Sequence, residues 1–177
     1  MVCRPTEPAL AERQSDIGLR RTELRDLDFV LALERHPENS PFIGSWSREE
    51  HQAAMGSSDR EHWLIEHGHP AGYLISYDLR AMGFGVYVKR VVVASKSRGV
   101  GRVALDRFLD HAFTDLAASF VWLSVFADNA RARRCYESLG FRERSFAADE
   151  RAAHHAAAGG FSERSLLMFV HRAGSPG

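Results

Sequence analysis

The sequence predicts one α/β domain, a β-sheet with helices packed on both of its faces. Three observations lead there. The chain has 177 residues, the usual size of one domain and enough to bury such a core without disulfides or a metal. Segments rich in β-branched and aromatic residues, VYVKRVVVA (86–94) and FVWLSVFA (120–127), alternate with segments whose apolar residues recur at helical spacing. Glycine and proline clusters punctuate the series, and no internal repeat or linker interrupts it.

In chain order, residues 1–16 are polar, contain Pro5 and Pro8, and are expected to be poorly ordered. The domain is expected to span 17–172, with a flexible tail at 173–177. IGLRRTE (17–23) reads as the first strand. Asp26 can cap a helix whose Leu27, Val30, Leu31 and Leu33 share a face. His36 to Phe42 is a loop broken by Pro37 and Pro41. Ser47 with Glu50 fits a capping box that would start a second helix. HWLIEH (62–67) and AGYLISYDL (71–79), joined by a turn over His67 to Pro70, read as an antiparallel hairpin.

The apolar strand 86–94 is broken by SKSRGVGR (95–102), after which Val103, Leu105, Phe108, Leu109, Ala112 and Phe113 mark an amphipathic helix. Beyond the strand 120–127, Asn129 opens a helix that stops at Gly140. FRERSFA (141–147) and SLLMFV (165–170) form a last strand pair. The alanine-rich AADERAAHHAAAGGF (147–161) between them reads as a flexible loop in preference to a short helix.

Composition narrows the function classes. Lysine plus arginine number 23, as do aspartate plus glutamate, for a formal net charge of zero. No global attraction to nucleic acid or anionic lipid follows, so an anion site has to come from local geometry. Cys3 and Cys135 make no disulfide framework. The start has no signal-peptide core, and no apolar stretch is long enough to span a bilayer. A cytoplasmic protein without nucleic-acid or membrane partners is expected.

The segment Lys96-Ser97-Arg98-Gly99-Val100-Gly101-Arg102 is the most informative. It links an apolar strand to an amphipathic helix. A helix N-terminus offers unpaired N–H groups and partial positive charge, and glycines allow close approach, which together suit a pyrophosphate. Lys96, Arg98 and Arg102 add cations. The bland alternative is a helix-start turn with glycines for packing. The Walker spacing is absent, and the formal Gly99-Val100-Gly101-Arg102-Val103-Ala104 match to a dinucleotide fingerprint lacks a preceding βαβ repeat and a ribose-binding acid.

Followed by DNARARRCYESLGF (128–141), this segment resembles the paired core motifs of the Gcn5-related N-acetyltransferases (GNAT). Lys96-x-x-Gly99-x-Gly101 is similar to their pyrophosphate loop, with lysine where Arg or Gln is usual. Asn129, Tyr136, Gly140 and Phe141 match the second motif. The resemblance runs from about Ile17 to Val170, and LALERHPENSPFIGSWSREEH (31–51) is similar to the branch holding ribosomal-protein N-terminal and spermidine acetyltransferases. It implies a single α/β (α+β) domain with a central mixed, mostly antiparallel twisted sheet flanked by helices. It further implies acetyl transfer from acetyl-CoA, as co-substrate, to an amine acceptor by direct attack. No metal is expected, and a homodimer is compatible with this branch.

The resemblance carries roles residue by residue. Tyr136 would be general acid to the CoA sulfur, since a phenol is protonated at neutral pH. The backbones of Val91 and Val92 would pair with pantetheine amides, and Lys96, Arg98, Gly99, Val100, Gly101 and Arg102 would hold the diphosphate. Asn129 would bind pantetheine, a role compatible with a plain helix cap. The base stays open between Glu34, Glu66 and a water chain. His154 and His155 are read as part of the alanine-rich loop, and Cys135 as a small buried hydrophobe. The competing reading is a non-catalytic acyl-CoA-binding sensor or interaction module.

Overall fold

A computed structural model describes residues 16–172. The expectations for residues 1–15 and for the tail lie outside the described residues. Within them, seven strands form one sheet: β1 (Ile17–Arg21), β2 (Arg60–His67), β3 (Pro70–Asp78), β4 (Val86–Val93), β5 (Phe120–Phe126), β6 (Arg142–Glu143) and β7 (Ser165–His171), in the order β1-β2-β3-β4-β5-β7-β6. Every neighbouring pair is antiparallel except β4 and β5. That pair is parallel because a helix, α3 (Val100–Thr114), carries the chain back between them. The other helices are α1 (Leu27–Arg35), α2 (Arg48–Met55), α4 (Ala130–Ser138) and α5 (Ala148–Ala157). No helix among the described residues is long and apolar enough to cross a membrane.

The sheet buries both faces. On one, Leu105, Phe108 and Leu109 of α3 meet Leu74, Val88 and Leu123 of the strands, and Tyr136 of α4 packs at the margin. On the other, Val30 and Leu33 of α1 meet Tyr73, Tyr87, Trp122 and Phe169, with Ala157 and Ala158 at the end of α5. Each large side chain buried this way contributes roughly 1.5–3 kcal/mol, so helix placement follows the apolar stripes.

The functionally decisive feature is a fork. β4 and β5 pair only at Val86–Val121, Tyr87–Trp122 and Val88–Leu123. Beyond Val88, β4 continues against β3 alone, and beyond Leu123, β5 continues against β7 alone. A bulge explains the parting. Ile75 faces Arg90 while Ser76 faces Val88, so Lys89 is an extra residue in β4. Such an insertion bends and twists its strand, here at the point where the parallel ladder ends.

Several elements match the sequence reading. Ser47 Oγ accepts from Glu50 N (3.2 Å) and Glu50 Oε2 accepts from Ser47 N (2.6 Å), a closed capping box. The hairpin β2–β3 and the helix before Gly140 are also in place. Two expectations are corrected. The segment FRERSFA contributes only Arg142–Glu143 as a strand. The alanine-rich segment is the helix α5, not a loop, because alanine has the best helix propensity and the first turn is closed by Glu150 Oε2 accepting from Ala147 N (3.2 Å). His154 is likewise no loop residue: its ring packs 4.7–4.9 Å from Phe146, Phe84 and Trp122 and docks the helix on the sheet.

Candidate active site

A cleft of about 350 Å³ fills the fork. Its walls are Val88–Val93 of β4, Leu123–Phe126 of β5, the loop Ser95–Gly99 with the start of α3, and Asn129, Arg131, Ala132, Cys135 and Tyr136 around α4. Glu38, Asn39, Phe42 and Ile43, between α1 and α2, close the remaining side. Of the twelve residues nominated from sequence, ten line this cleft.

The loop owes its shape to two left-handed residues, Ser97 (φ 61°) and Gly99 (φ 78°). Gly99 is the N-cap of α3, a conformation that a Cβ penalises. Val103 N donates to Gly99 O (3.0 Å), and the N–H groups of Val100, Gly101 and Arg102 before it are the open donors of the helix start. Gly101 lies against the end of β4, where an added Cβ would stand 3.4 Å from Val93 Cγ1. Arg98, Arg102 and Arg131 line the cleft beside these donors. Lys96 is engaged differently. Its Nζ donates to Asn39 Oδ1 and to Val93 O (2.8 Å), strapping the loop to the segment after α1. Burial, and then Arg131, lowers its pKa.

Val91 and Val92 face Leu74 and Tyr73 of β3. With β5 gone from their other side, that edge of the backbone faces the cleft. Asn129 is the N-cap of α4, its Oδ1 accepting from Ala132 N (3.2 Å). Tyr136 sits in the last turns of α4, 5.9 Å from the ring of Phe141. Burial, followed by Cys135 and Tyr87, pushes its phenol well above the ordinary value, so it is a donor throughout the neutral range. The Cys135 thiol is raised by burial too, which fits a small hydrophobe and not a thiolate nucleophile.

The two glutamates nominated as base are not in this cleft. Glu66, on β2, accepts from Arg20 Nε (2.9 Å), with β3 between its strand and β4. Glu34 lies in the last turn of α1 and is 2% exposed. Tyr73 Oη donates to its Oε1 (2.7 Å), Trp46 N to its Oε2 (2.8 Å), and Arg90 Nη1 to its Oε1. Burial alone would raise this carboxyl, but the donors from His51 and Tyr73, the Arg90 charge and Trp46 N together hold it below the usual carboxylate range. Its lone pairs are committed, and Arg90 stands between it and the cleft.

Behind Glu34 the polar cluster continues inward. His51 Nδ1 lies 3.0 Å from His62 Nε2, and His62 Nδ1 lies 2.8 Å from Thr22 Oγ1. Burial, then the neighbouring His51, lowers the His62 pKa to about 3. Between about pH 6.5 and 3 the unfolded chain therefore binds a proton there that the folded chain refuses, and stability falls as pH falls, by up to about 1.4 kcal/mol per pH unit. Urea midpoints measured from pH 7.5 down to 4.5 are expected to decline, and to decline less steeply in His62→Gln.

Lys89, Arg90 and Arg131 also line the cleft and were not among the residues nominated from sequence. The first two carry a signal in retrospect, because a run this rich in β-branched residues reads as a buried strand, where cations are uncommon unless paired.

A protein-family model for the acetyltransferase (GNAT) family matches residues 27–141, well over half of the chain. N-alpha-acetyltransferase 40 of Saccharomyces cerevisiae is 44% identical over a stretch that makes up 32% of this chain and 22% of that protein; the match thus spans about a fifth of the curated relative. Among solved structures, the spermidine N-acetyltransferase of Vibrio cholerae in complex with CoA and spermine superposes with a TM-score of 0.73 at 18% identity, covering 90% of this chain and 97% of that one. A domain from Methanocaldococcus jannaschii superposes with a TM-score of 0.68 at 17% identity, covering 88% and 98%. At these identities the likeness is one of fold. The family match, together with a forked sheet of the same fold and a glycine loop at the head of α3, leads to one conclusion: the chain belongs to the acetyltransferase (GNAT) family.

Proposed function

We propose that this chain transfers an acetyl group from acetyl-CoA directly to a primary amine. The observation that carries the reading is the fork itself. Its cleft joins an open helix N-terminus at one end to a protonated phenol in its wall. The cleft volume falls in the range of small-molecule sites, and the donor set suits CoA. The open N–H groups of Val100, Gly101 and Arg102, with Arg98 and Arg131, would take the diphosphate. The free edge of Val91 and Val92 offers amide partners to pantetheine in the manner of an added strand.

The reaction then needs three things from the chain. It must hold two reactants in register, which is worth effective molarities of roughly 10⁵ M or more. It must receive a proton from the incoming ammonium, and it must give one to the departing sulfur. Tyr136 supplies the last. The amine nitrogen bonds to the acetyl carbon, the carbon–sulfur bond breaks, the sulfur takes the Tyr136 hydroxyl proton, and the phenolate regains a proton from the new amide nitrogen. No step uses a metal. In this reading the enzyme works in the cytoplasm, and a homodimer is compatible with it.

The acceptor we favour is a single amine, a protein N-terminus or a small-molecule amine. Lys89 and Arg90 remain at the fork once the loop cations are assigned to phosphates, and Glu38 is the one acidic side chain among the described residues that line the cleft. A polycation would find few carboxylates to pair with there. Thiol release from acetyl-CoA, followed over a panel of amines, is expected to show turnover with an α-amine peptide or a simple amine, and kcat/KM lower by about tenfold or more for spermidine. CoA binding with no turnover on any amine would instead identify an acyl-CoA-binding module.

A further inference from the structure

The reaction proposed above still lacks a proton acceptor, since neither glutamate opens into the cleft. We propose that Lys89 is that catalytic residue, its neutral amine taking the proton from the acceptor ammonium before the nitrogen attacks the thioester. The inference rests on the acetyltransferase reading and deepens it.

Position comes first. Lys89 is the extra residue of the β4 bulge, directly after the last β4–β5 pair, Val88–Leu123. Its side chain therefore leaves the strand at the apex of the fork, and it lines the cleft. Its Nζ lies 5.9 Å from the Tyr77 ring centroid and 5.8 Å from that of Tyr87, on the sheet face covered by α1 and α5. Tyr136 belongs to the opposite face, with α3 and α4. Lys89 and Tyr136 thus stand on opposite faces of the sheet, both lining the cleft in the fork.

Hydrogen bonding comes second. Lys89 Nζ donates to Gly160 O (2.8 Å) and to Ala158 O (3.3 Å) at the end of α5. A neutral amine has two hydrogens and one lone pair. The two carbonyls occupy the hydrogens and leave the lone pair at the remaining tetrahedral position. In the ammonium the same position carries the third hydrogen. Uptake and release of a proton therefore require no movement of the side chain.

Charge comes third. The groups that face the amine are Arg60 on β2, Tyr77 on β3, and Tyr87 and Arg90 on β4, while His155 on the last turn of α5 packs on Phe161. Among the described residues no carboxylate bonds to it. Burial, then Arg90 and Arg60, lowers its pKa to about 8, so an appreciable fraction is neutral at physiological pH. That value matches an α-amine, at about 7.7–8.0, far better than an alkyl amine at about 10.4. The proton balance is simple: ammonium plus neutral lysine gives free amine plus lysinium, and the lysinium returns its proton to water after the transfer.

The test uses the full chain with acetyl-CoA and an α-amine peptide. At saturating peptide, where ionisation of the free substrate no longer contributes, wild-type kcat is expected to rise with pH along a limb centred near 8. Lys89→Arg keeps the cation and its donors but stays protonated, and Lys89→Met removes the amine. Both are expected to lose about 10²–10⁴-fold in kcat, with unchanged acetyl-CoA affinity and without the limb. Competitive labelling of wild-type Lys89 by trace acetic anhydride, read by mass spectrometry across pH, is expected to reach half-reactivity near 8, independently of any variant. Wild-type rates in Lys89→Arg, or labelling that titrates near 10.4, would overturn the role of Lys89 and leave the acetyltransferase reading intact. Failure of the wild type to turn over any amine would overturn both.

Discussion

Replacing Glu34 with alanine is expected to cost the folded state about 3–5 kcal/mol, the range found when one partner of a buried ion pair is removed. The carboxylate is the common acceptor for Arg90, Tyr73 Oη and Trp46 N. Without it the Arg90 guanidinium, 6% exposed, is left in the core with no anion. Glu34→Gln keeps neutral acceptor capacity and loses the charge, so it should fall between wild type and Glu34→Ala. The paired change Glu34→Leu with Arg90→Met removes both charges and should recover most of the loss, since apolar replacements of buried pairs are often neutral or better. Denaturant midpoints of the four proteins check this. The sign with pH follows from the depressed carboxyl: its contribution is complete above the unfolded value near 4.3 and disappears as pH falls through the lower folded one. A Glu34→Ala protein of undiminished stability and abolished turnover would make Glu34 the base after all.

That case also shows where the sequence stops being legible. Glu34 and Arg90 stand 56 positions apart, and nothing local in either segment announces that they meet. A glutamate at the end of an amphipathic helix reads as solvated surface, and only the tertiary fold puts it under Trp46 and against Tyr73. The fork is hidden for the same reason. It depends on one extra residue in β4, and a register shift is a relation between strands, not a property of one. Features set by neighbours in the chain were readable: the Ser47–Glu50 box, Gly99 at the head of α3 and Asn129 at the head of α4. The glycine turn that lines the cleft was readable too, because a loop-to-helix turn carries its geometry locally, whereas Tyr136 was nominated through the family resemblance. Helix α5 lies between these cases. Its alanines and the Glu150 closure of its first turn favour a helix locally, but where it docks is set by His154 packing among Phe84, Trp122 and Phe146, contacts distant in sequence.

Tyr136→Phe is expected to reduce kcat by about 10²-fold or more while leaving acetyl-CoA affinity unchanged. The two parts of this prediction come from different atoms. The ring packs at the cleft margin against Phe141, and phenylalanine preserves that contact, so neither the fold nor the wall of the cleft should change. The hydroxyl is what differs. An alkyl thiolate leaving into a cleft with apolar walls is poorly solvated, and a donor that protonates it as the carbon–sulfur bond breaks lowers the barrier in the transition state alone. Loss of such a donor lowers kcat and kcat/KM together and leaves ground-state binding untouched. Because burial holds the phenol above its ordinary pKa, its deprotonation should not contribute a descending limb to the wild-type profile below about pH 10. Rates with acetyl-CoA, a binding isotherm for CoA and a pH profile decide the matter. Equal kcat in Tyr136→Phe would mean that water protonates the sulfur, and the acid would have to be removed from the mechanism while Lys89, on the other side of the fork, kept its place in it.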